Sequence, residues 1–123
     1  MRASFRARCG KEKKVSRLKK FDVVSIEDLE TSDIERVFEL ADGFAAQLEH
    51  GDQITAAAGL IMATLFYEPS TRTRLSFESA MLRLGGSVLG TEAAHTFSSA
   101  IKGETLEDTI RMVSTYADVI GMR

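Results

Sequence analysis

A cluster of five residues at positions 70–74 constrains the fold of this chain most strongly, because it contains two arginines and three hydroxyl side chains. It closely follows an apolar run at 59–66, whose length and leading glycine are typical of a strand buried on both faces of a parallel sheet. No helix breaker occurs after the cluster until a pair of glycines. The sequence therefore predicts a helix from about 71 to 84, with Ser70 or Thr71 as its N-cap, directly after a buried strand and a short turn.

This cluster has the chemistry of an anion site. A helix N-terminus carries four backbone N–H groups with no partner in the helix and about half a positive charge, so it favours a bound anion. Ser70, Thr71 and Thr73 add hydroxyl donors, and Arg72 adds a planar guanidinium suited to phosphate. Arg72 and Arg74 are two residues apart and cannot face the same way on a helix, so we expect one to bind ligand and the other to be structural.

A capped helix with a basic first turn and no ligand is the alternative interpretation of this cluster. The helix dipole prefers acidic residues in the first turn, so two arginines there are unfavourable unless an anion is bound. The cluster therefore predicts a site for a small phosphorylated anion. A nucleoside-triphosphatase is excluded as the source of that site, because the sequence contains no Gly-x-x-x-x-Gly-Lys-[Ser/Thr] motif.

Helical signals also occur before the apolar run. A Ser-x-x-Asp capping box at 25–28 predicts a short helical turn. A second box at 32–35 predicts the first turn of a longer helix, in which apolar residues recur with helical spacing. Gly51 is expected to end that helix, and His50 just before it is expected to interact with the helix dipole.

Two more strands and another helix are predicted after the glycine pair. The strands are expected at 87–90 and 118–122, and the helix between them is expected to begin at Thr105 and to continue through Ala117. The order β-α-β-α-β, with connections long enough for right-handed crossovers, predicts an α/β fold: a parallel sheet with helices on both faces. Ligands of such sheets bind beyond the carboxyl ends of the strands, which is where the predicted anion site lies.

The charge of the chain is unevenly distributed. Residues 1–20 contain nine Lys/Arg and one Glu, whereas residues 21–123 contain seven basic and seventeen acidic residues. The basic segment lacks sustained periodicity, so we expect 1–20 to be a disordered, solvated tail and 21–123 to form the domain. A targeting segment or a nucleic-acid contact is the alternative for the tail, but it carries only Phe5 for stacking on bases, which argues against nucleic acid.

The cysteine content and the hydropathy of the chain exclude several classes of protein. Cys9 is the only cysteine and lies in the basic tail, so one chain cannot form a disulfide framework or a zinc cluster of the usual kind. No apolar run approaches the roughly 20 residues that a membrane span needs. These features predict a protein that does not enter the membrane and is cytoplasmic.

The residues 68–78, Glu-Pro-Ser-Thr-Arg-Thr-Arg-Leu-Ser-Phe-Glu, resemble the carbamoyl phosphate signature of the aspartate and ornithine carbamoyltransferases. The resemblance extends to Leu-Gly-Gly at 84–86, to Ser98 and the segment 102–109, and to the segment 116–123. It covers the chain from about residue 20 onward. The Lys-Gly-Glu-Thr sequence that begins at Lys102 is similar to the aspartate branch of the family, since ornithine enzymes typically lack a lysine there.

The resemblance implies a function. It implies transfer of the carbamoyl group from carbamoyl phosphate to the amine of L-aspartate, giving N-carbamoyl-L-aspartate and phosphate in de novo pyrimidine biosynthesis. It implies no metal, no organic cofactor and no covalent intermediate, so that the site acts through orientation and charge stabilisation. An ornithine or related carbamoyltransferase and a non-catalytic phosphate-binding module are the alternatives.

The resemblance also implies roles for individual residues. It assigns carbamoyl phosphate binding to Ser70, Thr71, Arg72, Thr73, Ser98, Lys102 and Arg123. It assigns catalysis to Arg72, Thr73, Lys102 and Arg123. Arg72 is expected near the bridging oxygen of the leaving group and Arg123 at the carbamoyl oxygen and the aspartate, whereas Glu68 and Arg74 are expected to be structural or to act in domain closure.

Two of these residues imply an oligomer. In the family, the loop residues that correspond to Ser98 and Lys102 reach into the site of the neighbouring subunit. The resemblance therefore implies a homo-oligomer, a trimer, with active sites shared between subunits, and it leaves a regulatory subunit open. Without the resemblance, Lys102 would be interpreted as a solvent-exposed loop lysine. His95 in the same loop has no role in the family pattern.

The resemblance stops at Arg123. The downstream His and Gln that are expected to contact the carbamoyl group lie beyond this point of the pattern, and so does the aspartate-binding domain. We therefore expect these 123 residues to be a fragment that binds carbamoyl phosphate weakly and does not catalyse the reaction by itself.

Overall fold

The computed structural model describes residues 22–91 and 103–123. They fall into two compact units, the first ending at Asp52 and the second beginning at Gln53. The basic tail predicted at 1–20 lies outside the described residues.

The first unit begins with a short 3-10 helix, Ile26–Asp28, followed by helix α1, Thr31–Glu49. The capping box predicted at 25–28 is confirmed: the Ser25 hydroxyl accepts a hydrogen bond from the backbone N–H of Glu27 at 3.3 Å, and the Asp28 carboxylate accepts from the N–H of Ser25 at 3.0 Å. Local side-chain caps therefore define the start of this short turn.

The start of α1 differs from the prediction. The box at 32–35 was expected to open the helix, but the N-cap is Glu30, and Asp33 occupies the third helical position. The carboxylate of Asp33 accepts a hydrogen bond from the N–H of Glu30 at 3.1 Å, and the residue is only 7% exposed. Asp33 is therefore the last residue of a capping box that begins at Glu30, and not the second residue of a box that begins at Ser32. The helix consequently starts closer to the N-terminus than predicted. The predicted end is confirmed, since His50 is the C-cap and Gly51 has a φ of +78°.

The second unit contains a parallel sheet of three strands: β1, Ile61–Leu65, β2, Ser87–Thr91, and β3, Val119–Met122. The strand order is β2-β1-β3, so β1 is central and four of its five residues are buried. A strand with neighbours on both sides and helices above and below must be apolar on both faces, which explains the continuous apolar run in the sequence. The predicted α/β fold with a parallel sheet is confirmed.

Two helices of the second unit lie between the strands in the chain. Helix α2, Thr71–Arg83, connects β1 to β2, and helix α3, Leu106–Val113, precedes β3. The chain moves across the sheet in opposite directions in these two crossovers, and right-handed crossovers in opposite directions place their helices on opposite faces. Helix α3 is shorter than predicted and does not continue through Ala117.

The early end of α3 has a local cause. The N–H groups of Thr115 and Tyr116 donate to carbonyls three residues back, at 3.0 and 2.9 Å, which tightens the turn after Val113. The hydroxyls of Ser114 and Thr115 also donate to carbonyls three residues back, at 2.7 Å each. Hydroxyl residues compete with the helical hydrogen-bond pattern in this way, so the apolar spacing alone overestimated the helix.

The core lies between α2 and one face of the sheet. Ala57, Met62 and Met81 form a buried cluster in this core, and Leu60, Leu84 and Val88 pack against them. Gly85 follows α2 with a φ of +85°, and a Cβ at this position would lie 2.8 Å from the carbonyl oxygen of Ile54. The turn after α2 therefore requires glycine for both its backbone conformation and its close approach to neighbouring backbone.

No helix within 22–91 or 103–123 has the length and apolar character needed to cross a membrane.

Candidate functional site

The carboxyl ends of the three strands meet at one edge of the sheet. Leu65 at the end of β1 is paired with Thr91 of β2 and with Met122 of β3. The chain therefore leaves all three strands at the same edge of the sheet. The turn after β1 begins there, as do the segment that follows β2 and the residue that follows β3. This is the edge at which parallel α/β sheets bind their ligands.

The N-terminus of α2 opens onto this edge. Ser70 is the N-cap, as predicted, but its side chain makes no capping hydrogen bond within the described part of the chain. The first N–H to donate along the helix belongs to Arg74, which bonds to the carbonyl of Ser70 at 3.0 Å. The N–H groups of 71–73 are thus the donors that the helix itself leaves available at its positive end.

Arg123 reaches the same N-terminus from β3. Its N–H donates to the carbonyl of Leu65 at 3.1 Å, and its carbonyl accepts from the N–H of Tyr67 at 2.8 Å, so its backbone is held beside the end of β1. Its Nη1 donates to the Oγ of Ser70 at 2.7 Å. A hydroxyl that accepts from a guanidinium keeps its own proton to donate, so Ser70 can still bind an anion oxygen.

Glu68 lies on the outer side of this contact. One of its carboxylate oxygens is 3.8 Å from the Nε of Arg123, and the side chains are 72% and 51% exposed, respectively. An ion pair this exposed contributes little to stability. The carboxylate nevertheless places a negative charge beside the guanidinium at this edge of the sheet.

The two arginines of the cluster face different environments, as their spacing predicts. Arg72 is exposed at the start of α2. Arg74 is only 19% exposed, and its Nε lies 3.7 Å from a carboxylate oxygen of Glu78. Arg74 is therefore the partly buried arginine of the pair, and Arg72 is the exposed one. Thr71 is exposed and Thr73 is partly buried in the same turn.

Sequence reasoning missed a second polar cluster beneath the turn. The hydroxyl of Thr64, which is fully buried, donates to Glu78 at 2.8 Å. The sequence does contain a signal for this cluster, namely a threonine inside an otherwise apolar strand, because a buried hydroxyl requires a hydrogen-bond partner.

The arrangement is suited to binding an anion. It combines the N–H groups and hydroxyls of the first turn of α2 with the guanidinium groups of Arg72 and Arg123. Among the residues that the structure describes, no group of three or more His, Cys, Asp or Glu side chains could hold a metal ion. Ser98 and Lys102, assigned to the site by the resemblance, lie outside the described residues, as does His95.

Comparisons with known proteins find relatives of this chain in both sequence and fold. The family model described as "Aspartate/ornithine carbamoyltransferase, carbamoyl-P binding domain" matches residues 22–123. The aspartate carbamoyltransferase catalytic subunit of Picrophilus torridus is 57% identical over 106 residues, which is 86% of this chain and 34% of the relative.

Solved structures give the same result. The aspartate transcarbamoylase of Trypanosoma cruzi, in complex with carbamoyl aspartate and phosphate, is 42% identical, with a TM-score of 0.74 over 82% of this chain and 32% of that one. The catalytic subunit of aspartate transcarbamoylase from M. jannaschii is 44% identical, with a TM-score of 0.75 over 82% of this chain and 33% of that one. The resemblance noted in the sequence is confirmed, and the chain spans about a third of the length of these relatives.

Proposed function

The chain belongs to the aspartate/ornithine carbamoyltransferase family, and on that premise we propose that it supplies the carbamoyl phosphate-binding part of an enzyme that carbamoylates L-aspartate. The products are N-carbamoyl-L-aspartate, an intermediate of pyrimidine biosynthesis, and phosphate. The observation that carries the proposal is the contact between Arg123 and Ser70, which brings a second guanidinium to the N-terminus of α2. The aspartate branch is supported by the Lys-Gly-Glu-Thr sequence at 102–105 and by the relatives named above.

The phosphate end of the substrate binds at the first turn of α2 in this proposal. The N–H groups of Thr71, Arg72 and Thr73 and the hydroxyl of Ser70 donate to its oxygens. The guanidinium of Arg72 forms two further hydrogen bonds and lies near the bridging oxygen. These donors are already in place before the substrate binds, so they stabilise charge on the departing phosphate without reorganisation.

The carbamoyl end points toward Arg123. The amine nitrogen of aspartate attacks the carbamoyl carbon and forms a C–N bond, and negative charge develops on the carbamoyl oxygen, where the guanidinium of Arg123 stabilises it. The C–O bond to phosphate then breaks, its electron pair remains on the phosphate, and the proton lost by the amine ends on that phosphate. Loss of one such charge-stabilising donor typically lowers turnover by about 10²–10³.

The proposal includes an oligomer. Ser98 and Lys102 are assigned to the site of an adjacent subunit by the resemblance, which makes a homotrimer with shared sites the proposed assembly. The resemblance leaves a regulatory subunit open, and the cytoplasmic location is a prediction from the sequence.

Titration with inorganic phosphate tests the binding half of the proposal. We expect the 123-residue chain to bind phosphate and Arg72→Ala to weaken that binding at least about tenfold, the effect of losing hydrogen bonds to a charged group. Arg111→Ala is the matched control, because Arg111 is 77% exposed on α3 and pairs only weakly with Asp108 at 3.5 Å. Equal phosphate affinity in the wild type and Arg72→Ala would contradict the proposed site.

A chimera tests the catalytic half. Residues 22–123 replace the matching third of the Picrophilus torridus subunit, which is 57% identical in this region. We expect the chimera to carbamoylate aspartate and Arg72→Ala to abolish most of that activity. A chimera that assembles and binds phosphate but has no activity, while the parent subunit is active, would favour the non-catalytic phosphate-binding module.

A further inference from the structure

A polar cluster connects the central strand to the phosphate-binding helix. Thr64 is 0% exposed, and its Oγ1 donates to Oε1 of Glu78 on α2 at 2.8 Å. A carboxylate that accepts a hydrogen bond from a buried hydroxyl in a region of low dielectric is held more firmly than an exposed one. Thr64 lies one residue before the end of β1, so this hydrogen bond anchors α2 near the edge that binds the ligand.

The same carboxylate oxygen contacts the first turn of the helix. Nε of Arg74 lies 3.7 Å from Oε1 of Glu78, and both side chains are about one-fifth exposed, at 19% and 20%. Arg74 directly follows the residues that the proposed function assigns to phosphate. Glu78 therefore links a buried strand residue to the turn that carries the anion donors.

Strand β2 leaves space for this carboxylate. Gly90 is paired with Thr64 in the sheet, and a Cβ at Gly90 would lie 2.9 Å from Oε1 of Glu78 and 3.2 Å from Oγ1 of Thr64. Any other residue at this position would displace the carboxylate or the hydroxyl. Three elements, β1, β2 and α2, thus define the position of one carboxylate.

We propose that Glu78 is a positioning residue for the phosphate site, because its carboxylate joins Thr64 of β1 to Arg74 in the first turn of α2. The hydrogen bond from Thr64 sets how far α2 extends toward the ligand and how it is rotated about its axis. Those two variables decide where the first-turn N–H groups and Arg72 point. The pairing with Glu78 also keeps the positive charge of Arg74 beneath the turn, so that Arg72 and Arg74 have separate roles. The inference rests on the proposed function of the same turn.

A pair of substitutions at Thr64 tests this role. Thr64→Val keeps the shape of the side chain and removes the donor, whereas Thr64→Ser keeps the donor. We expect the dissociation constant of inorganic phosphate, measured by calorimetry on the full chain, to rise about tenfold in Thr64→Val, the lower end of what loss of a supporting hydrogen bond costs at metal sites. Thr64→Ser should stay within about twofold of the wild type, since its hydroxyl still donates to the carboxylate.

Glu78→Gln is the second variant, for the case in which Thr64→Val does not fold. Its amide oxygen still accepts from Thr64 but no longer attracts Arg74, so we expect phosphate affinity to fall about threefold, less than in Thr64→Val. Glu39→Gln is the matched control, because it makes the same chemical change at a residue whose side chain is 70% exposed. That control should bind phosphate like the wild type.

Calorimetry separates positioning from a merely structural role, because the binding stoichiometry reports the folded fraction and the dissociation constant reports the folded site. A lower stoichiometry with an unchanged dissociation constant in both Thr64→Val and Glu78→Gln would overturn the inference. If the wild-type chain binds no phosphate, the proposed function fails, and the inference fails with it. If the wild type binds and both variants bind equally well, only the inference fails.

Discussion

The Nη1 of Arg123 donates a hydrogen bond to the Oγ of Ser70 over 2.7 Å, joining residues that are 53 positions apart in the chain. Ser70 is the N-cap of α2, and Arg123 directly follows β3. The contact converts the end of one helix into a site with donors from two elements.

Arg123 is expected to contribute more to the binding of carbamoyl phosphate than to the binding of inorganic phosphate. Arg123→Ala removes the group proposed at the carbamoyl oxygen, so we expect the affinity for carbamoyl phosphate to fall about tenfold more than the affinity for inorganic phosphate. Arg123→Lys keeps the charge and loses the planar guanidinium, so its affinity for carbamoyl phosphate should lie between those of the wild type and Arg123→Ala. Parallel titrations with both ligands measure this difference. Equal losses for the two ligands would show that Arg123 contacts only the phosphate end.

Ser70 and Thr105 are predicted to differ in what they contribute to stability. Thr105 caps α3 by accepting from the N–H of Asp108 at 3.1 Å, so Thr105→Ala should lower the free energy of unfolding by about 1 kcal/mol. Ser70→Ala should lower it by less than about 0.5 kcal/mol, because no capping hydrogen bond is lost and the hydrogen bond from Arg123 is exposed to solvent. Urea unfolding measures both values. A loss at Ser70 as large as that at Thr105 would contradict this difference.

Removing the charge of Glu68 should strengthen phosphate binding. Its carboxylate lies 3.8 Å from the Nε of Arg123 and is 72% exposed. We expect Glu68→Gln to raise phosphate affinity about two- to threefold, because a negative charge next to the anion is removed at an exposed position. Glu107→Gln, which makes the same charge change in the first turn of α3, is the control. Weaker phosphate binding in Glu68→Gln would indicate instead that the carboxylate is needed to orient Arg123.

Substitutions at Gly59 and Gly85 distinguish the stability cost of a positive φ from the added cost of a close contact with neighbouring backbone. Gly59 has a φ of +81°, and no atom of the described residues lies within 4 Å of where a Cβ would be, so Gly59→Ala should cost about 1 kcal/mol of unfolding free energy. Gly85 has a φ of +85°, and its Cβ would also lie 2.8 Å from the carbonyl oxygen of Ile54. We expect Gly85→Ala to cost at least about 2 kcal/mol, because the neighbouring backbone must move as well. Thermal and urea unfolding of both variants check the difference, and equal costs would contradict it.

Local chemistry was sufficient to predict the elements around the site. The apolar run, the proline before Ser70 and the glycines after α2 are signals within one short stretch of chain, so the order of strand, turn and helix could be read from them. The alternation of strands and helices then predicted a parallel sheet and the edge at which such sheets bind their ligands. The exact ends of the helices were harder to predict. Two overlapping capping boxes were possible at the start of α1, and hydroxyl groups competed with the helical hydrogen bonds at the end of α3, so both predicted ends differ from the structure.

The amino-acid sequence by itself determined which donors are available and that they lie at a helix N-terminus, because spacing and capping act between near neighbours. Only the tertiary structure decided that Arg123 reaches Ser70 and that Thr64 donates to the carboxylate of Glu78. These contacts depend on the register of β1 with its two neighbours and on the rotation of α2 about its axis. Neither quantity is encoded in any one segment, since each results from how the core packs as a whole.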